Sequence, residues 1–194
     1  MIIKKASEQD IGSVVNLHLE SLQDGLLPLL GLEILLAFYK ELLQDDGSEI
    51  LVAKEGKEIV GVAAISKNPD RLIAKFKGGS FFKIAKGMAG AFLRKPQVTI
   101  REVFFSGKLR GYPELMFLYT KPSMQGRGIG KRLLAEVFKL FFAMKVNEFI
   151  IVISPKNEKG KRFYEKNGFR KIKEASLFDC HEAYLVKLPS SLER

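Results

Sequence analysis

Apolar residues recur along this chain with two different periods, and the change from one to the other marks out its elements. Ile2 to Lys5 reads as a short strand. Ser7-Glu8-Gln9-Asp10 then has the Ser-x-x-acid spacing of a capping box, and Ile11, Val14, Val15, Leu19 and Leu22 follow at helical spacing, so the pattern predicts a first helix. After a break over Gly25 to Gly31, Leu32, Leu35, Leu36, Tyr39, Leu42 and Leu43 predict a second helix ending near Asp45-Asp46-Gly47. Glu49 to Lys54 and Glu58 to Ser66, parted by the turn-forming Glu55-Gly56-Lys57, predict a hairpin. From Lys67 to Pro113 the pattern is irregular, and Gly78, Gly79, Gly87 and Gly90 interrupt helical pieces such as Ser80 to Lys86 and Met88 to Arg94. Leu115 to Thr120 is apolar on both sides, as suits a buried strand. A helix carrying Ile129, Leu133, Leu134, Val137, Phe138 and Phe141 leads from it to a second buried run, Phe149 to Ile153. A strand, helix, strand unit of this kind predicts a parallel pair. Lys159 to Lys166 looks helical and stops at Asn167-Gly168, and Phe169 to Lys173 and Ala183 to Leu188 close the pattern as strands. With no repeat or linker, residues 1 to 194 are expected to form a single domain carrying an insertion at about 67 to 113.

Composition adds limits. The 194 residues are 46% hydrophobic and 28% charged, which permits a real core and excludes a disordered chain. One cysteine, Cys180, excludes a disulfide framework, and two histidines with one cysteine are too few for the common zinc patterns, so no metal is expected. The first residues lack the apolar core of a signal peptide, and no apolar run approaches the roughly 18 residues of a membrane span, so a cytoplasmic protein is expected. The formal net charge is +10, and the stretch from Arg71 to Pro113 holds ten basic residues against the single acid Glu102. So local an excess argues for an acidic partner, against the plainer alternative of a solvated face. Phe81, Phe82, Phe92, Phe104 and Phe105 interleave with these cations, which keeps open a rival class: a module binding nucleic acid or an acidic membrane surface. No nucleic-acid motif accompanies them, so nucleic acid is disfavoured, and nothing further supports a membrane. A homodimer stays open.

Between the two buried runs lies Gln125-Gly126-Arg127-Gly128-Ile129-Gly130-Lys131-Arg132. Glycines there let a backbone approach a phosphate, and free N–H groups at the following helix start favour an anion. It is not a P-loop, because Gly126 and Gly130 enclose three residues rather than four and Arg132 replaces the hydroxyl residue; the dinucleotide fingerprint fails on its third glycine. A plain tight turn is the structural alternative. Gln125-x-x-Gly128-x-Gly130, preceded by Pro122, resembles the pyrophosphate-binding signature of the GNAT superfamily of N-acetyltransferases. The run from Asn157 through Gly160 to Phe163-Tyr164-Glu165-Lys166-Asn167-Gly168-Phe169 resembles the second signature of that family. The resemblance covers about Met1 to Ser66 and Glu114 to Leu188; the basic segment has no counterpart in a minimal member.

The resemblance implies a mixed α/β fold with a mostly antiparallel sheet, a splayed parallel pair and flanking helices. It implies acetyl-CoA as acyl donor, without a metal, and direct transfer of the acetyl group to a primary amine. By the same likeness Gln125, Gly126, Arg127, Gly128, Ile129, Gly130 and Lys131 would hold the pyrophosphate. The main chain of Leu118 and Thr120 would meet the acetyl carbonyl and the pantetheine, and Asn157 the pantetheine arm. Gly160 stands where the family often has Ala, which suggests close approach by the cofactor or an end to regular helix; Asn157 alone would be an ordinary helix cap. Tyr164 matches the general acid that protonates the departing thiolate, a transfer between groups of ordinary pKa about 10 and about 8.5. No residue is singled out as base: Glu114, beside the central strand, is preferred, with His18, Glu20 or a chain of waters as alternatives. The sequence does not name the acceptor: a small amine, an amino sugar on a nucleotide or lipid carrier and a protein amine all stay open, and the basic segment favours an anionic small-molecule amine such as an amino-sugar conjugate.

Overall fold

The computed structural model describes residues 1–22, 26–94, 111–174 and 181–188. Strands β1 (Ile2–Lys5), β2 (Ser48–Glu55), β3 (Glu58–Ser66), β4 (Glu114–Thr120), β5 (Glu148–Ile153), β6 (Arg170–Lys173) and β7 (Glu182–Lys187) form one sheet in the order β1-β2-β3-β4-β5-β7-β6. Every neighbouring pair is antiparallel except β4 and β5, which run parallel as the strand, helix, strand pattern predicts. One face carries α1 (Ile11–Ser21), α2 (Leu26–Leu30), α3 (Leu32–Gln44), α4 (Pro69–Gly79) and α5 (Phe81–Arg94); the other carries α6 (Ile129–Ala143) and α7 (Glu158–Lys166).

Alternation along the strands divides the core between these faces. Ile50, Val52, Val62, Ala64 and Tyr119 point to α1 and α3, while Leu51, Ala53, Ala63, Ile65 and Leu115 point to α6. The capping box forms as the spacing predicts: the Ser7 backbone N–H and hydroxyl both donate to Asp10 Oδ2, at 3.0 and 2.9 Å, ahead of a short 3₁₀ turn and α1. At Gly61 on β3 an added Cβ would come within 2.9 Å of Ile129 and 3.0 Å of Leu133. The bare backbone therefore lets the start of α6 seat directly on the sheet.

Three expectations need correction. The stretch Gly25 to Gly31 is not all break, since Leu26–Leu30 makes a short helix whose Leu29 and Leu30 are buried against α3. The segment from Lys67 holds two full helices rather than interrupted pieces. Asn68 caps α4 by accepting from Arg71 N–H at 3.1 Å, and Pro69 sits at its first turn. Gly78 and Gly79 fall at its end. Gly87 lies inside α5, where a Cβ would stand 2.5 Å from Ile34 and 2.8 Å from the Leu30 carbonyl, so this glycine permits helix packing instead of breaking the helix. Residues 95–110, which hold the remainder of the basic segment's cations, lie outside the described residues.

Candidate active site

The two parallel central strands barely touch. β4 and β5 share one register pair, Glu114 with Ile150, supported by the bond from Ile150 N–H to the Pro113 carbonyl at 2.9 Å. The cause lies on β4. Against β3, Ala64 faces Phe117 and Ile65 faces Leu115, so Met116 is an extra residue, a β-bulge that bends β4 away from its parallel neighbour. Beyond it Leu118 and Thr120 stay paired with Ala63 and Gly61 on one edge and form no ladder with β5 on the other. Backbone N–H and C=O groups on that open edge are available to a ligand. The Thr120 carbonyl accepts a hydrogen bond from the Ser21 hydroxyl at 3.3 Å.

The glycine-rich loop stands between β4 and α6. Gly126 and Gly128 have φ of +79° and +77°, a left-handed conformation that suits glycine, and a Cβ on either would meet nothing within 4 Å. Gly128 caps α6 with no side chain, and the first intrahelical bond in from the cap runs from Arg132 N–H to the Gly128 carbonyl at 3.1 Å. The amides of Ile129, Gly130 and Lys131 are therefore the unspent donors of a helix N-terminus. Gln125, Arg127 and Lys131 are exposed around them, while Ile129 is buried and roots the turn. The loop fits a pyrophosphate: open space over the glycines, uncapped amides, and flanking cations.

Across the opening, α7 is set by Asn157, whose Oδ1 accepts from Gly160 N–H at 2.9 Å. A Cβ on Gly160 would lie 2.7 Å from Asn157 Nδ2. Helix α7 continues through Gly160, so this glycine does not end the helix; it makes room for the capping side chain, and the cap is the contact Asn157 makes in the structure. The Phe163 ring lies 3.7 Å from where a Gly130 Cβ would be, so α7 rests against the loop. Tyr164, next to it, is buried between Phe163 and Phe169 in edge-to-face contacts of 5.1 and 5.2 Å. Burial pushes its phenol well above the ordinary tyrosine value, which keeps it protonated near neutral pH.

The three side chains weighed as base sit in different surroundings. Glu114 belongs to β4 itself and, by alternation with Leu115, lies on the α1 and α3 face, opposite Tyr164. Burial, and next the carboxylate of Asp70 on α4, push its pKa up to about 7. Asp70 in turn accepts from Gly111 N–H at 3.0 Å. His18 is 1% exposed, and burial holds its pKa down to about 4, so it is a weak proton acceptor. Glu20 is exposed and borders an open cleft of about 210 Å³ with Lys57, Glu58 and Lys121, one residue before Ser21, whose hydroxyl meets the Thr120 carbonyl. The sequence pattern did not mark Tyr39 and Tyr119, which read there as core positions. Their hydroxyls are buried and hydrogen-bonded to each other at 2.9 Å. A tyrosine inside an apolar run was the available signal, since a buried phenol needs a partner.

No group of His, Cys, Asp and Glu among the described residues could hold a metal ion, and no described helix is long and apolar enough to cross a membrane. No curated protein matches the chain significantly by sequence. Among solved structures, the PaiA N-acetyltransferase of Thermoplasma acidophilum in complex with coenzyme A has a TM-score of 0.60 at 17% identity, over 96% of this chain and 98% of that one. A spermidine N-acetyltransferase chimera from Vibrio cholerae and hSSAT gives 0.61 at 14% identity over the whole of both chains. SsHAT gives 0.69 at 14% identity, over 97% and 98%. Likeness at such identity is likeness of fold, and the sequence itself goes further: residues 14–169 match the Acetyltransferase (GNAT) family. That span runs from α1 through the splayed strands and the glycine loop to Phe169, and the chain belongs to the GNAT family of acetyltransferases.

Proposed function

We propose that this acetyltransferase uses Glu114 as general base and Tyr164 as general acid to move the acetyl group of acetyl-CoA to a primary amine carrying negative charge. The observation that supports it is the gap itself: two parallel strands joined at one register pair, with an uncapped helix N-terminus beside the opening and the two titratable residues on opposite faces. The amides of Ile129, Gly130 and Lys131, with the backbone at Gly126 and Gly128, hold the pyrophosphate. Open-edge groups of Leu118 and Thr120 align the pantetheine and the acetyl carbonyl, with Asn157 at the border of the same opening.

The amine enters from the Glu114 side, opposite Tyr164. An amine of pKa about 10 arrives as ammonium, and a carboxylate whose pKa is raised to about 7 accepts its proton far more readily than an ordinary glutamate. The freed nitrogen lone pair bonds to the acetyl carbon, the carbon–sulfur bond breaks, and the thiolate takes the Tyr164 proton. The products are the amide and CoA. Burial makes the phenol reluctant to ionise, and the same surroundings penalise the thiolate, so the two stay matched.

Helices α4 and α5 support an anionic acceptor by position. Asp70 of α4 is near enough to Glu114 to act on its charge, which supports reading the basic insertion as part of the acceptor side. Lys77, Lys83 and Lys86 are exposed there. Turnover of acetyl-CoA against a panel of amines tests the proposal, with neutral amines set beside phosphorylated and carboxylated ones such as amino-sugar phosphates. Preference for the anionic members that fades with salt supports it. Equal use of neutral and anionic amines overturns the choice of acceptor, and wild-type turnover in Glu114→Gln overturns the choice of base.

A further inference from the structure

Helix α5 presents a face that the fold does not use. Ile84 and Met88 pack on the core beneath it and Gly87 lies against Leu30 and Ile34, so one side of the helix is committed to α2 and α3. Phe82, Lys83, Ala85, Lys86 and Ala89 are exposed on the other side. Positions 82, 86 and 89 recur at helical spacing and share one stripe, with 83 and 85 on its flanks. Phe82 is 86% exposed, more than any other large apolar side chain described. A second, Leu32, is 51% exposed and begins α3 two residues after Leu30, whose carbonyl borders Gly87.

The charge around this stripe has one sign. Phe81–Arg94 contains no acid. Arg71 and Lys75 of α4 are taken up by Asp45 and Glu41, which leaves Lys77, Lys83 and Lys86 as exposed cations on the described part of the two helices. A ring standing out with lysines one and four residues on suits an anionic bilayer. The ring enters the headgroup region, while the aliphatic lysine stems lie beside it and carry their ammonium groups to the phosphates. Ala85 and Ala89 are small enough for the helix backbone to lie close to that surface. A second copy of this chain fits badly, because a two-fold interface would set these lysines against their own copies. Nucleic acid fits less well too: apart from lysine, the exposed positions hold no Arg, Asn, Gln, Ser or Thr, the side chains that read sugars and base edges.

We propose that α5 is a peripheral docking surface for an anionic lipid bilayer, with Phe82 as its apolar anchor and Lys83 and Lys86 as its headgroup contacts. The helix lies on the membrane rather than across it, since no described helix is long and apolar enough to span one. Such docking goes beyond the acetyltransferase reading and does not depend on it, because lipid binding is measured without CoA or an amine. Attraction of about fivefold in affinity per lysine, with one ring buried, makes the association reversible and sensitive to salt.

The chain contains no tryptophan, so Phe82→Trp places a single indole reporter in the stripe. The whole protein is mixed with vesicles of phosphatidylcholine alone or of an equal mixture with phosphatidylglycerol. The indole emission should move to the blue, and brominated acyl chains should quench it, with the anionic vesicles only. Both effects should fade as salt rises from about 0.05 M to about 0.5 M. In co-sedimentation, wild type should bind the anionic vesicles at least tenfold more tightly than the neutral ones. Phe82→Ser should weaken that binding roughly tenfold, and Lys83→Gln with Lys86→Gln about 25-fold, in chains that circular dichroism shows folded. Equal binding to both vesicles, binding to neither, an affinity that no variant lowers, or an indole that stays in water on bound protein overturns the proposal. So does a single-stranded RNA oligomer that displaces the anionic vesicles and shifts the indole itself, which assigns the face to nucleic acid. A dimer in sedimentation equilibrium that Phe82→Ser dissociates overturns it in favour of a second copy. Wild-type co-sedimentation decides the matter even where a variant fails to fold.

Discussion

Glu114→Gln separates a catalytic carboxylate from a structural one, because the two roles move stability and activity in opposite directions. The carboxyl titrates at about 7 in the folded chain against 4.5 for an unperturbed glutamate. Between those values the folded state holds a proton that the unfolded state has released, so the folded chain loses stability as pH rises through that window. At about 1.36 kcal/mol per unit, ionising this buried group costs roughly 3 kcal/mol at pH 8 and under about 1 kcal/mol at pH 5. The neutral amide of glutamine does not incur it. The variant should therefore be more stable than wild type by up to about 3 kcal/mol at pH 8, or roughly 6 to 12 °C in Tm for a chain of this size, with the advantage shrinking toward pH 5. Turnover should fall about 10²- to 10⁴-fold. Wild-type kcat/KM should rise tenfold per pH unit up to about 7 and then level; ionisation of the amine adds a rise common to both proteins, so the inflection is read from their ratio. Urea denaturation at pH 5 and pH 8 beside initial rates supplies every number. A stability difference that does not vary with pH would refute the buried-carboxylate account, and a variant as active as wild type would refute the catalytic one.

Other expectations follow from the same geometry. Tyr164→Phe keeps the ring contacts with Phe163 and Phe169, so turnover should drop about 10- to 1000-fold while CoA affinity in calorimetry changes less than twofold. Gly128→Val places a branched side chain at φ +77°, costing about 1–2 kcal/mol of strain with no clash in the free protein, and by covering the amides it should weaken CoA binding about 10- to 100-fold in a chain that circular dichroism shows folded. Gly87→Leu should lower Tm by several degrees, since any side chain there meets Ile34 and the Leu30 carbonyl; a neutral effect would mean that α5 does not pack as described.

Strand and helix types were legible wherever one face was buried, because periods of 2 and 3.6 are written directly into residues such as Ile11, Val14 and Val15 or the β2 and β3 hairpin. The parallel pair was legible from the strand, helix, strand order. The splay was legible only through the family resemblance, because a bulge at Met116 changes no residue type; it depends on how β4 registers against β3. Helix α4 was hidden for a different reason. Its buried positions are few, Pro69, Leu72 and Phe76, and the paired glycines at its end mimic a loop. At Gly160 a glycine in a helix signals close approach, and in the structure the side chain that approaches is that of Asn157. The buried chain of His18, Tyr39 and Tyr119 is the least legible part, for its members lie 21 and 80 residues apart and each alone passes for core.

The excess charge of the insertion can now be divided between structure and binding. Arg71 lies 3.4 Å from Asp45, and Lys75 lies 2.6 Å from Glu41, so two of the cations fasten α4 to acids at the end of α3. Asp45 and Glu41 are largely shielded while their partners are about half exposed or more, so these pairs act as clamps on buried acids rather than as surface decoration. Lys77, Lys83 and Lys86 are the exposed cations left on the described part of α4 and α5. Replacing these three with Gln should leave Tm nearly unchanged, raise the KM of a phosphorylated amine several-fold in low salt, and leave that of a neutral amine and of acetyl-CoA alone, with the difference collapsing as the Debye length shortens from about 30 Å at 0.01 M salt to about 8 Å at 0.15 M. Replacing Arg71 or Lys75 should do the reverse and lower Tm with no change in acceptor preference. If the exposed lysines alter acetyl-CoA and acceptor alike, the charge serves the donor nucleotide, and the anionic acceptor loses its support.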